Sequence, residues 1–428
     1  MRLLSGAKRQ QWRNMVCLLL AQGLFVLSNL YINYKANQLW GVEAFAIYNL
    51  LKRFGAFMIY PLLVGAGIGI PRFISFLKRR REEQSVEYLW AGLLSFLILF
   101  GLFAVLLLCF PAVVQQAFGL SAKPVGGNAD AATKLFWWAI LGFILTQGLF
   151  VLLSAYYRGR LAFARVAILN AAILSVLPLA VLWFAVGVWD YFVYYSAASF
   201  ILLLLICLLL QRGKKISRRA IRLKQQRLFR YGWPRIGAEL GLFGLEFIPV
   251  FGLSLFVSLE ASAYLSLTFI LLKLAAMLFE LAGSMVLPYF GQLYAQQPRA
   301  VFVHRVQQLL MYGALVALAT AGLFYVLSPY LVRWFFPALS PAAGYAQWVF
   351  VAFPVYALYL LLRNILDIMS HRAYNTVNLL IALLLLFALL AAGICWHQVM
   401  LYQVAVVIGP YLLLGALSYQ RWLKLKMP

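Results

Sequence analysis

Negative charge is scarce in this sequence. Asp and Glu number 11 against 36 Lys and Arg, histidine appears three times and cysteine four. His304, His371 and His397 fall at the ends of apolar runs, and no HExxH, glycine-rich phosphate loop or paired-cysteine motif occurs. The usual hydrolytic and redox machinery is therefore missing, and neither a metal nor a cofactor is expected. Cys17, Cys109, Cys207 and Cys395 each lie inside an apolar run without pairing or metal spacing, and read as small core residues. Long acidic or polar connections are missing too. A membrane glycosyltransferase or polymerase would be expected to carry catalytic groups in a sizeable loop. The largest weakly charged connections, Pro111 to Thr133 and Pro329 to Gly344, hold one acid (Asp130) and none. The chain does not read as an enzyme.

What is abundant is apolar surface. Hydrophobic residues make up 65% and charged ones 11%, with a mean hydropathy of +0.90, outside the range of a soluble globule. A helix crossing a bilayer needs about 20 mostly apolar residues. Runs of that kind fall near 15–36, 44–76, 87–110, 134–157, 162–186, 190–211, 236–258, 261–293, 306–328, 345–369, 376–396 and 400–420. The expected fold is an all-α polytopic membrane protein of about twelve transmembrane helices, in two pseudo-symmetric six-helix bundles around a central cavity.

Basic residues recur on every second connection: Arg2 to Arg13, Lys78-Arg79-Arg80-Arg81, Arg158 to Arg165, Arg212 to Arg235, Arg299 to Arg305, Arg372, and Arg421 to Lys426. The others carry only Lys35, Lys123, Lys134 and Arg333. This is the positive-inside pattern, and an even number of spans puts both termini on the cytoplasmic side. The basic start before the first run imitates a signal peptide, but no small-residue cleavage site follows, so that run is expected to stay. Trp137, Trp138, Trp183, Trp189 and Trp422 sit at span ends, where aromatic belts form. The pI near 10.1 reflects topology and implies no nucleic-acid partner.

The densest basic stretch divides the chain into an N-terminal bundle (1–211), a basic cytoplasmic linker (212–235) and a C-terminal bundle (236–428). The linker suits an amphipathic helix on the membrane surface, with Ile216, Ile221, Leu223 and Leu228 toward lipid and its arginines near anionic headgroups. A faint repeat spans the divide. Glu43-Ala44-Phe45-Ala46 and Glu260-Ala261-Ser262-Ala263 share an offset of 217, as do Pro71 with Pro288 and Phe73 with Phe290. The glycines of Gly65, Gly67, Gly69 and Gly237, Gly241, Gly244 allow close helix approach.

Charges inside the spans carry the functional signal, because each costs about 2.5–3.5 kcal/mol at the bilayer centre on insertion scales. The candidates are Lys52 and Arg53 in the second span, Glu239 and Glu246 in the seventh, Lys273 and Glu280 in the eighth, and Arg363 and Asp367 in the tenth. Arg363 and Asp367, four apart, form a local ion pair on the simplest reading. At the 217 offset Lys273 falls one turn beyond Lys52, so the halves present cations at comparable depth. Lys52, Arg53, Lys273 and Arg363 could line a cationic cavity for an anionic headgroup such as a pyrophosphate. Alternatively they pair with the acids and staple the bundle. Glu239, Glu246, Glu280 and Asp367 could instead hold a coupling ion or proton.

The stretch NQLWGVEAFAIYNLLKRFGAFMIYPLLVGAGIGIPRFISF resembles the first two spans of Wzx-type polysaccharide flippases of the multidrug/oligosaccharidyl-lipid/polysaccharide exporter superfamily. The matching features are Trp40-Gly41, Glu43, Tyr48, and Gly67 and Gly69 followed by Arg72. The resemblance implies transport of an undecaprenyl-pyrophosphate-linked oligosaccharide across the bacterial inner membrane, for lipopolysaccharide O-antigen, capsule or exopolysaccharide. Partners would be the lipid-linked substrate, membrane lipids and polysaccharide polymerase or assembly proteins. Lys52, Arg53 and Lys273 would be the pyrophosphate contacts. The first span departs from the pattern, having no basic residue between Arg13 and Lys35 where some relatives carry one. A cation-coupled drug antiporter of the same superfamily and a noncatalytic scaffold of an envelope polysaccharide complex are the alternatives. The major facilitator fold fits less well, because Phe73 to Glu83 reads FISFLKRRREE without its Gly-and-Asp signature.

Overall fold

The computed structural model describes residues 2–75, 82–118, 129–214, 217–370, 374–393 and 400–426. Lys78 to Arg81, Lys123, Ile216, His371, Arg372, Cys395 and His397 lie outside them, as do the side chains of Arg2 to Arg13, Asp130 and Pro288. The helices are α1 (Arg2–Leu63), α2 (Ala66–Ser75), α3 (Glu82–Cys109), α4 (Pro111–Ala117), α5 (Ala129–Gly159), α6 (Phe163–Ala171), α7 (Leu177–Leu182), α8 (Val188–Gln211), α9 (Arg218–Gly232), α10 (Ile236–Phe256), α11 (Leu259–Gln296), α12 (Arg299–Phe335), α13 (Ala342–Phe350), α14 (Phe353–Met369), α15 (Tyr374–Gly393) and α16 (Met400–Lys426).

Among the described residues, nine helices are long and apolar enough to cross a membrane, and two further pairs do so with a 55° bend between their halves. The first of those pairs contains Leu19–Leu63. At 1.5 Å per residue this helix is about 67 Å long, roughly twice the hydrocarbon thickness. It breaks at Gly41, whose φ of 81° is left-handed, and so supplies two crossings. Among the described residues the apolar runs fall on these helices, the first two sharing α1 and α2, and the chain is a multi-pass membrane protein. The second half of α1 and the whole of α11 start alike: Glu43 follows Gly41 by two, and Glu260 follows the helix cap Ser258 by two. Ser258 Oγ accepts from the Ala261 amide at 3.0 Å, satisfying an end group of α11.

The chain separates into two compact units. One comprises Met1–Trp40 and Phe54–Ile236; the other comprises Gly41–Arg53 and Gly237–Pro428. In the first, α5 packs on α8, α2 and α3, while α9 lies across α3 and α2. In the second, α11 packs on α14 and α13, α12 on α13 and α14, and α16 on α15 and α14. One core of the second unit gathers Phe290, Phe302, Val306, Leu310, Leu362, Ile365, Leu366 and Trp422. Trp422, expected in an interfacial belt, is buried there. Trp138 and Trp183 are exposed at span ends as a belt requires.

Helix α9 forms where the basic stretch was expected to be helical, but its apolar side is turned inward. Leu228 is 3% exposed and packs against the Cα side of Gly69, so it faces protein where lipid was expected. Leu223 does stay exposed. Lys224 pairs with Glu87, donates to the Gln84 carbonyl at 3.2 Å and lies 4.9 Å above the Tyr88 ring. The docking face is fixed by one polar and one apolar anchor.

Two local breaks have identifiable causes. Val64 (φ 47°) and Gly65 (φ 70°) interrupt the second span where the backbone of Gly232 reaches Gly65. A π turn at Ala172–Val176 precedes Pro178, which has no N–H to donate into the turn behind it. The Tyr195 hydroxyl donates to the Ile173 carbonyl at 3.1 Å and accepts from Gln147 at 2.7 Å, so part of that opened backbone is satisfied by a side chain.

Candidate functional site

All eight intramembrane candidates fall in the second unit. Lys52 and Arg53 belong to it because Gly41–Arg53 groups with its helices. Glu239 and Glu246 come from α10, Lys273 and Glu280 from α11, Arg363 and Asp367 from α14.

Glu246 is the centre of the arrangement. Its Oε2 lies 3.3 Å from Arg53 Nη1 and 2.8 Å from Lys273 Nζ, so one carboxylate oxygen serves two cations on two different helices. The Glu246 and Arg53 side chains are only 10% and 11% exposed, whereas that of Lys273 is 48% exposed. Arg53 is held further by a 3.3 Å bond from Nη2 to the Ser266 carbonyl and by the Phe269 ring beneath its guanidinium, 4.8 Å away. Its Nε is buried and lacks a hydrogen-bond partner. Lys52 lies 4.9 Å above the Tyr48 ring and within the fields of Arg53 and Lys273. Two cations therefore share one carboxylate oxygen, with Lys52 in the field of both.

The remaining candidates extend this group. Glu280 is exposed and feels Lys273, Glu246 and Arg363. Arg363 feels Glu239 as well as Asp367, its helical neighbour. Asn375 Nδ2 donates to Asp367 Oδ1 at 2.7 Å and to the Arg363 carbonyl at 2.9 Å, fixing this end of the track from α15. Asn378, one turn on, donates to Ser418 Oγ at 3.2 Å.

The Leu259–Glu280 stretch of α11 is the most buried of the nine single-helix spans among the described residues. Yet Lys273 and Glu280, seven residues apart on one face, are exposed. Charged groups on a span do not face acyl chains. Two crevices of the second unit are apolar: one of about 30 Å³ beside Pro249 and Gln403, one of about 380 Å³ beside Trp348 and Gly409. Neither includes a candidate charge. Among the described residues no cluster of three or more His, Cys, Asp or Glu is placed to hold a metal.

Of the two readings of the cations, pairing is the one observed for Arg53 and Lys273, and both pair with the same acid. Pairing of the cations with the acids was one expectation, but not that Glu246 would serve two of them at once. Sequence reasoning also missed Tyr48, Phe269 and the Ser266 carbonyl. A usable signal was present for Tyr48, which precedes Lys52 by one helical turn, but not for Phe269, which meets Arg53 from another helix.

A similar fold occurs in solved membrane transporters that are described as members of the MOP superfamily. The chain is similar to an inward-facing multidrug resistance MATE family transporter of that superfamily, at 15% identity and a TM-score of 0.73 over 94% of each chain. It is equally similar in fold to the lipid II flippase MurJ in an inward closed conformation: 13% identity, TM-score 0.73, covering 96% of this chain and 89% of that one. A MOP superfamily transporter from Pyrococcus furiosus, described as having a binding pocket of reverse polarity, matches at 15% identity and TM-score 0.66 over 97% and 96% of the two chains. No family sequence profile and no curated protein sequence matches the chain. The solved structures sharing the fold are transporters and a flippase, which are not enzymes.

Proposed function

We propose that this protein is a flippase that moves an undecaprenyl-pyrophosphate-linked oligosaccharide from the cytoplasmic to the periplasmic leaflet of the bacterial inner membrane by alternating access. Its termini would be cytoplasmic and its product destined for surface polysaccharide. The observation that supports this reading is the convergence of Arg53 and Lys273 on one oxygen of Glu246, with Lys52 beside them. Two cations held on one acid oxygen suit a multiply charged anion, and a pyrophosphate offers several oxygens to forked and point donors. The fold held in common with a lipid II flippase agrees with a lipid-linked cargo.

A second reading, a cation-coupled drug antiporter, draws on the fold shared with MATE transporters and on the exposed Glu280. The readings separate on one experiment. Cells lacking the protein are complemented with Lys52→Gln/Lys273→Gln. A flippase variant accumulates lipid-linked oligosaccharide and loses surface polysaccharide at unchanged protein level. An antiporter variant alters drug tolerance and leaves the polysaccharide intact, which would overturn the proposal.

A further inference from the structure

Glu246 holds its cations in an unusual way. Both bonds run to a single oxygen, Oε2, from groups on separate helices, while Arg53 keeps one buried donor, Nε, with no partner. A phosphoryl oxygen would be gripped by the same pair of donors. A carboxylate tethered to α10 has, in addition, a high effective concentration at that spot. Any ligand that replaces it must leave a mostly buried carboxylate without its cations, a costly outcome.

We infer that Glu246 is a specificity-determining residue: a resident counter-anion in the place of the ligand's phosphate, displaced by a pyrophosphate group and retained against singly charged anions. The inference rests on the anion-binding reading above. A monoanion offers Arg53 and Lys273 the same charge that Glu246 already supplies, without the tether, and so gains nothing. A pyrophosphate brings further negative charge and several more acceptor oxygens. These can satisfy the unpartnered Arg53 Nε while keeping both cations bonded. Lys273, 48% exposed, gives the displaced carboxylate and the entering ligand a shared approach. The residue thereby converts a general cationic patch into one selective for charge density.

The test uses the purified full-length chain, with inorganic pyrophosphate and the singly charged dimethyl phosphate as calorimetric probes. Wild type binds pyrophosphate and not dimethyl phosphate. Glu246→Gln binds pyrophosphate about tenfold more tightly and gains dimethyl phosphate binding, narrowing the discrimination. Unchanged or weakened pyrophosphate binding in Glu246→Gln, with discrimination intact, overturns the inference. Should that variant not fold, carbodiimide coupling at Glu246 in wild type decides the matter. Labelling read by peptide mass spectrometry rises when pyrophosphate is added, and unaltered labelling overturns the inference. Arg53→Gln and Lys273→Gln serve the underlying reading separately. If both keep wild-type pyrophosphate affinity, the anion site itself is wrong; if both lose it, only the role of Glu246 is at stake in the other measurements.

Discussion

Gly65 and Gly232 meet backbone to backbone. A Cβ built on Gly65 would lie 2.3 Å from the Gly232 Cα, and one on Gly232 would lie 1.9 Å from the Val64 carbonyl oxygen. No flexible side chain can yield at this contact, so Gly232→Ala must push α9 away from the break in the second span. Overpacking of this kind costs about 1–3 kcal/mol. The expected result is a lower melting temperature in detergent and faster proteolysis around residues 211–217. Gly213→Ala, at φ 74° in open space, carries only the backbone penalty of about 1–2 kcal/mol and leaves α9 docked.

The pair Lys224 and Glu87 anchors the same helix from its polar side, with both side chains nearly buried. Removing one partner strands a charge, at a cost of about 3–5 kcal/mol in fully buried cases. Lys224→Gln and Glu87→Gln should therefore each destabilise the protein more than a neutral substitution on the outer face of α9, such as Arg222→Gln. The double variant should recover at least about 1 kcal/mol relative to additivity, measured by denaturant unfolding in a defined detergent. Strict additivity would mean the contact contributes nothing.

The spans were legible because hydropathy over some twenty residues is a local property, and Trp40-Gly41 announced the turn between the first two. What was not legible came from contacts distant in sequence. Val64 and Gly65 lie inside an apolar run, and only the arrival of Gly232 explains why the helix breaks there. The amphipathic character of α9 could be read from its residues, but not that Leu228 would find Gly69 in place of lipid. For the site, the charges within the apolar runs could be picked out of the sequence because so few exist. Which acid each cation would meet depends on how the second half of α1 lies on α10 and α11, and no periodicity reports that. The π turn had a cue in Pro178 that spacing arguments passed over.

Arg53 tests the difference between a fork and a point charge. Its guanidinium spans Glu246 and the Ser266 carbonyl over the Phe269 ring. Arg53→Lys keeps the charge and loses the planar two-sided grip, so stability should fall by about 1–2 kcal/mol. Arg53→Gln should cost more, and Arg53→Gln/Glu246→Gln should regain part of the loss. Thermal unfolding of the three variants in one detergent distinguishes these outcomes.

Glycines on the two units give an internal calibration. A Cβ at Gly415 would sit 2.2 Å from Val355 Cγ1 and 2.8 Å from its carbonyl oxygen, where α16 crosses α14. Gly415→Val should abolish accumulation of folded protein. Gly101 and Gly322 have open space around them within their helices. Alanine at either should be neutral or stabilising by up to about 1 kcal/mol, read as recovery of monodisperse protein after heating.

Because Gly41–Arg53 belongs with the C-terminal helices, the halves are not interchangeable cassettes. A chimera spliced at the basic midpoint would import Glu246 and leave behind its native guanidinium. Among natural variants, a change at either position creates pressure for a matching change nearly two hundred residues away, so drift in one half is chemically answerable to the other.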